Sequence, residues 1–143
     1  MLIWDGTCGF CNYWVARWKA LTGDAVLYVP YQEVAHEISD IPVQAFKEAV
    51  RMIETDGKVC DGAGAAYKTL TYSEKWRFLY PCYKRFFFFR KVSDRSYQFI
   101  ADNRRFMLTL TKLFFGKNPN RMAHYWAIYL AIGLLLLLFS ILS

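Results

Sequence analysis

The sequence is poor in the residues that build metal sites and disulfide scaffolds. Cysteine occurs four times in 143 residues, at Cys8, Cys11, Cys60 and Cys82, too few for a disulfide-stapled domain of this length. Histidine occurs twice, at His36 and His124. Each stands alone, so the paired ligand spacing of a structural zinc site is missing. Charged residues make up 21% against 55% hydrophobic, which excludes a disordered chain. There is no internal repeat, and no low-complexity stretch apart from a leucine run near the end. No nucleic-acid-binding motif accompanies the net charge of +6, so nucleic acid is not an expected partner.

Charge is missing altogether from Met122 to Leu142. As a helix rising ~1.5 Å per residue, that run spans roughly 30 Å, the thickness of a bilayer's hydrocarbon core. Tyr125, Trp126 and Tyr129 stand near its start, where an interfacial aromatic belt belongs. No face of the run is polar, which favours a single transmembrane helix over 122–142 rather than a buried core helix. Residues 1–75 hold seven Lys and Arg against ten Asp and Glu, a net −3, and residues 76–121 hold eleven against two, a net +9. Lys112, Lys117 and Arg121 precede the run and nothing basic follows it, which places the N-terminal portion in the cytoplasm. Met1 opens directly into a strand, so no signal peptide is expected. The expected layout is a domain over 1–115, a basic juxtamembrane linker over 116–121 and the span over 122–142.

Periodicity gives the elements. Leu2-Ile3-Trp4 reads as a short buried strand. Cys11, Trp14, Val15 and Trp18 form the stripe of an amphipathic helix that ends before Gly23. Ala25 to Val29 reads as a second strand, stopped by Pro30. Short helices are expected around Glu33 to Ile38 and from near Pro42, with Ser39 or Asp40 as cap. Val50 to Glu54 and Val59-Cys60 read as a hairpin about Asp56-Gly57, and Gly62-Ala63-Gly64 opens a helix. A short helix over Glu74 to Leu79 is expected to stop at Tyr80-Pro81. A longer one starts at Ser93, capped by Ser93 and stapled by Val92 and Tyr97, and breaks at Gly116. Strand, helix, strand, helix, hairpin and helix make an α/β pattern with a small mixed sheet and flanking helices.

The chemistry sits at the first turn, Asp5-Gly6-Thr7-Cys8-Gly9-Phe10-Cys11. A C-x-x-C pair that closes a first strand and opens a first helix is where a thioredoxin-like fold places its dithiol. Cys8, at the helix N-terminus, meets free N–H groups and the positive end of the dipole, which lowers its pKa. It is the expected nucleophile. Cys11, one turn further in, is the expected resolving thiol. Asp5 has two readings, a proton acceptor for a cysteine or a carboxylate that organises the turn. Exchange of this kind needs no metal or organic cofactor.

Asp5-Gly6-x-Cys8-x-x-Cys11 resembles the signature of the DCC (DUF393) family of predicted thiol-disulfide oxidoreductases. Asp56-Gly57-Lys58-Val59, Gly62 and Ala65-Ala66 are similar to that family's hairpin and following helix. Tyr97-x-x-x-Ala101-x-Asn103-Arg104 resembles its C-terminal helix. The likeness covers roughly residues 2–108. It implies a thioredoxin-like domain exchanging dithiol and disulfide through Cys8 and Cys11 with help from Asp5, acting on an unidentified thiol or disulfide partner. By the same analogy, Arg104 is an ion-pair partner within the fold, for Asp5. The chain departs from thioredoxins proper in one respect. They carry a cis-proline before the third strand, whereas Phe46-Lys47-Glu48-Ala49 precede Val50 here and the nearest proline is Pro42.

Two other readings compete. Thr7-Cys8-x-x-Cys11 is similar to the Cu(I) loop of soft-metal chaperones, although Gly6 stands where those usually have Met. The basic, aromatic stretch from Trp76 to Arg121 also suits a non-catalytic membrane adaptor. Lys84, Arg85, Arg90 and Lys91 flank Phe86 to Phe89, whose expected role is core packing, with insertion at a lipid interface as the alternative.

Overall fold

The computed structural model describes residues 1–38, 41–121 and 124–142, with the side chains of 133 and 135–142 outside that description. Ser39 and Asp40, expected as a helix cap, and Met122, the expected start of the apolar span, lie outside the described residues.

The first strand, β1 (Leu2–Trp4), leads through a turn into helix α1 (Gly9–Thr22). A 3-10 turn at Gly23–Ala25 delays the second strand, β2 (Tyr28–Pro30), which runs parallel to β1. Pro30 is therefore part of the strand, paired with Trp4. It is tolerated because β2 is an edge strand, where a missing N–H leaves no ladder broken on the far side. Two short helices follow, α2 (Tyr31–Val34) and α3 (Val43–Glu48). The first ends four residues earlier than Ile38. Strands β3 (Arg51–Ile53) and β4 (Val59–Asp61) form an antiparallel hairpin. Its turn uses Gly57 at φ +82°, a value open to glycine at little cost. The sheet order is β2-β1-β3-β4, with β3 antiparallel to β1.

Leu2 and Ile3 are both wholly buried. Consecutive strand residues face opposite sides, so both faces of the sheet are covered at β1. On one side Leu2 and Met52 pack with Val15 of α1 and with Ala65 of helix α4 (Gly62–Leu70). Phe46 of α3 is buried too, and its ring stacks on Tyr31 at 6.0 Å.

The second half departs from expectation in several places. Residues 71–78 form turns, and helix α5 (Leu79–Arg85) begins where a helix was expected to stop. Pro81 lies in its first turn, where a backbone N–H has no intrahelical partner to lose. Helix α6 (Phe87–Asp102) starts six residues before Ser93. Ser93 is thus no cap. It is buried within α6, and its hydroxyl meets the Tyr67 hydroxyl at 3.1 Å. The chain then breaks at Asn103 before helix α7 (Arg104–Phe115). Phe86, Phe87 and Phe88 are exposed, so core packing fails for them. Only Phe89 packs, with its ring 5.5 Å from that of Tyr67. The corner between α5 and α6 falls at Phe86 and turns the first three rings outward.

Helix α8 (Tyr125–Leu142) follows and rests on α7. The Tyr129 hydroxyl donates to the Leu113 carbonyl at 3.4 Å, and its ring meets Phe114 at 5.9 Å. Among the described residues no helix is long and apolar enough to cross a membrane. The expected span over 122–142 thus finds no support among the described residues, where the last helix runs from Tyr125 to Leu142.

Candidate active site

The C-x-x-C spacing matches the geometry of a helix start. Cys8 is the N-cap of α1, in extended conformation, and Cys11 is the third helical residue. An N-cap side chain accepts from the N–H two or three residues on. Here the acceptor is sulfur: Cys8 Sγ accepts the Cys11 N–H at 3.2 Å. Cys8 is half-buried, Cys11 is buried, and both are free thiols.

Proton affinities separate the two. The Cys8 thiol falls from its ordinary 9.0 to about 6. The largest cause is hydrogen bonding from the Cys11 thiol. Burial opposes the shift, and the Cys11 N–H and the Arg104 guanidinium reinforce it. The Cys11 thiol is pushed up. It donates to Cys8, it is buried, and it faces the Cys8 negative charge. One sulfur is thus a thiolate near neutrality while the other keeps its proton. Arg104 stays firmly charged, since the two cysteines outweigh the burial that opposes it.

The turn before Cys8 is held by side chains from three elements. Asp5 Oδ1 accepts from the Thr7 N–H at 3.0 Å, the Thr7 hydroxyl at 2.8 Å and Gln32 Nε2 at 2.9 Å. Burial raises the Asp5 carboxyl, but these bonds outweigh it and hold it below its ordinary value. Gln32 also accepts the Gly6 N–H at 3.1 Å. Asn12 donates to the Gly6 carbonyl at 2.8 Å and accepts from the Trp4 indole at 2.7 Å. A Cβ on Gly6 would lie 2.8 Å from Pro30 Cβ, so only glycine lets the turn pass the end of β2. Gln32 and Asn12 were not foreseen from sequence. The signal available was topological, since residues just beyond the C-terminal ends of adjacent parallel strands converge.

Arg104 arrives through the break at Asn103, which lets α7 start beside the dithiol. Its Nη2 donates to the Glu48 carbonyl. The expected pairing with Asp5 is a through-space attraction that helps to lower the carboxyl, not an ion-pair contact. Tyr97 of α6 accepts the Val50 N–H on its hydroxyl at 3.0 Å. Both side chains thus tether the segment before β3, where every described peptide bond is trans. A groove of about 220 Å³ opens beside Cys11, walled by α1, α6 and α7. Cys60 sits apart on β4, with its sulfur 3.9 Å from the Tyr80 hydroxyl. Among the described residues no three His, Cys, Asp or Glu side chains are grouped as metal ligands would be.

A family model described as DCC1-like thiol-disulfide oxidoreductase matches residues 2–110. The match takes in β1 through most of α7 and includes Asp5, Cys8, Cys11, Tyr97 and Arg104. The chain belongs to the DCC1-like thiol-disulfide oxidoreductase family, a family of oxidoreductases. No curated protein and no solved structure matches it.

Proposed function

We propose that the chain exchanges dithiol for disulfide at Cys8 and Cys11. The observation that carries this reading is the dithiol at the start of α1, where half-buried Cys8 caps the helix and its sulfur accepts the N–H of buried Cys11 at 3.2 Å. The Cys8 thiolate attacks a disulfide sulfur of the partner, forming a mixed disulfide and releasing the partner's other sulfur as a thiolate. Cys11 then loses its proton and attacks Cys8. The Cys8–Cys11 disulfide forms and the second partner thiolate leaves. Once Cys8 is bonded, the hydrogen bond to its thiolate and its negative charge, which both raised the Cys11 pKa, are gone, while burial still opposes loss of the proton, so the first step eases the second. Arg104 holds the charge on sulfur. Asp5 assists by fixing the turn, with one oxygen engaged three times over. The sheet order, with two parallel strands followed by an antiparallel hairpin, supports a thioredoxin-like reading of the domain.

Turnover with hydroxyethyl disulfide, recycled by a chemical reductant, tests the exchange reading. Wild type consumes the disulfide and Cys8→Ser does not. Equal rates from the two would defeat it.

We further propose that the uncharged run 122–142 anchors the domain at a membrane, with the N-terminal portion on the cytoplasmic side. The support is the uncharged run 122–142 and the basic residues Lys112, Lys117 and Arg121 before it. A reporter fused after Ser143 is then exported, whereas a cytoplasmic reporter would contradict the orientation.

A further inference from the structure

We propose that the groove beside Cys11 binds a quinone, which takes two electrons from the Cys8–Cys11 dithiol. The inference rests on the exchange reading above and names an electron acceptor for it.

The first argument is what the site no longer offers a polypeptide. An extended peptide docks on free backbone groups. Next to the dithiol, four of those groups are taken within the chain. The Glu48 carbonyl receives Arg104, the Ala49 N–H reaches Ala45 at 3.3 Å, the Val50 N–H reaches Tyr97, and the Val50 carbonyl accepts the Gly62 N–H at 3.0 Å. The groove beside Cys11 offers mainly apolar side chains, with Arg104 among them.

The second argument is the groove itself. Trp14, Trp18, Ile100, Ala101 and Met107 wall it, with Cys11 and Arg104 among its lining. Its volume is about 220 Å³. An apolar cavity of about 150 Å³ already accepts benzene, so a substituted single ring fits. One donor accompanies the apolar walls, the Arg104 guanidinium. A para-quinone is an apolar ring with two carbonyl acceptors, and its reduced oxygens gain from a guanidinium nearby.

The third argument is redox direction. Stabilising the Cys8 thiolate favours the reduced dithiol, so its reoxidation calls for a strong oxidant. Quinones dissolve in lipid, and the apolar helix α8 packs on α7, which contributes Met107 to the groove. The step balances. The Cys8 thiolate and Cys11 thiol become one disulfide, and the Cys11 S–H bond breaks as the S–S bond forms. The quinone takes two electrons, the Cys11 proton and one proton from water, and leaves as hydroquinone.

The test uses the reduced 143-residue chain in detergent with tetramethyl-1,4-benzoquinone, whose substituted ring carries no hydrogen for a thiol to displace. Two protein thiols are lost per quinone reduced, the rate saturates with quinone, and tryptophan fluorescence is quenched saturably. Ala101→Phe, which fills the groove, raises the half-saturating concentration by roughly tenfold or more. A rate that stays linear in quinone, or a folded Ala101→Phe with an unchanged dependence, overturns the proposal. If that variant does not fold, the wild-type quenching decides: saturation supports the site and its absence overturns it. A wild type that exchanges hydroxyethyl disulfide but ignores the quinone loses this inference alone. One that does neither loses the exchange reading as well.

Discussion

Cys8 Sγ accepts the backbone N–H of Cys11 at 3.2 Å, so the nucleophile is also the cap of its own helix. The bond joins fold to chemistry. Capping satisfies a donor that helix geometry leaves free, and the same donor favours negative charge on the sulfur. A serine at position 8 would cap as well, but with no accessible anion. The spacing of two residues between the cysteines follows from the distance between an N-cap and the third residue of the first turn.

Alkylation of reduced wild type by iodoacetamide is expected to modify Cys8 first, with a rate that rises through a midpoint near pH 6. Arg104→Gln removes a positive charge beside the sulfur and moves that midpoint upward. Rates measured from pH 4 to 9, with peptide mapping, check both. An unshifted midpoint in the variant would remove Arg104 from the thiolate's environment.

Stability should follow pH in a set direction. The folded Cys8 value lies below its ordinary 9.0, so between about 6 and 9 the unfolded chain binds more protons than the folded one. The contribution of Cys8 is complete above that window and is lost as pH falls through 6. Cys11 is shifted the other way and acts against stability above the window. Urea midpoints of the reduced protein should therefore rise from pH 6 to 8.5, and Cys8→Ser should flatten the rise.

Tyr97→Phe leaves the Val50 N–H without its acceptor. The expected cost is about 1–3 kcal/mol, that of a polar group left unpaired inside the fold. Chemical denaturation measures it. The segment before β3 should also loosen, with faster amide exchange at Val50 than in the wild type.

The four consecutive phenylalanines should separate on substitution. Phe87→Ser and Phe88→Ser remove exposed rings and should stay within about 0.5 kcal/mol of wild type. Phe89→Ser removes the ring against Tyr67 and should cost about 1–3 kcal/mol. Equal losses at all three positions would restore the core-packing reading for the whole run.

The first half of the chain was legible because its signals are local and agree. Leu2-Ile3-Trp4, the Cys11–Trp18 stripe and the Asp56-Gly57 turn each point to the element found there. The cysteine pair and Asp5 stood out for the same reason, lying within seven residues of sequence, and the structure places them at one turn. The second half misled where tertiary contacts outweighed local rules. Ser93 has the chemistry of a cap, yet its hydroxyl pairs with Tyr67 inside a helix that had already begun. Pro81 looks like a stop, yet the first turn of a helix accepts it. Gln32 and Asn12 carried no sequence signal, because their roles come from strand ends that meet only in the folded sheet. Arg104 was marked by family resemblance alone, since periodicity gives no hint of a helix breaking at Asn103 to bring it beside Cys8.

The central claim is that Cys8 attacks and Cys11 resolves, and trapping tests it most directly. A Cys11→Ser variant offered a disulfide substrate should accumulate a mixed disulfide, and mass spectrometry should place it on Cys8 and name the partner by its mass. No adduct, or an adduct on Cys60 or Cys82 alone, would contradict the account.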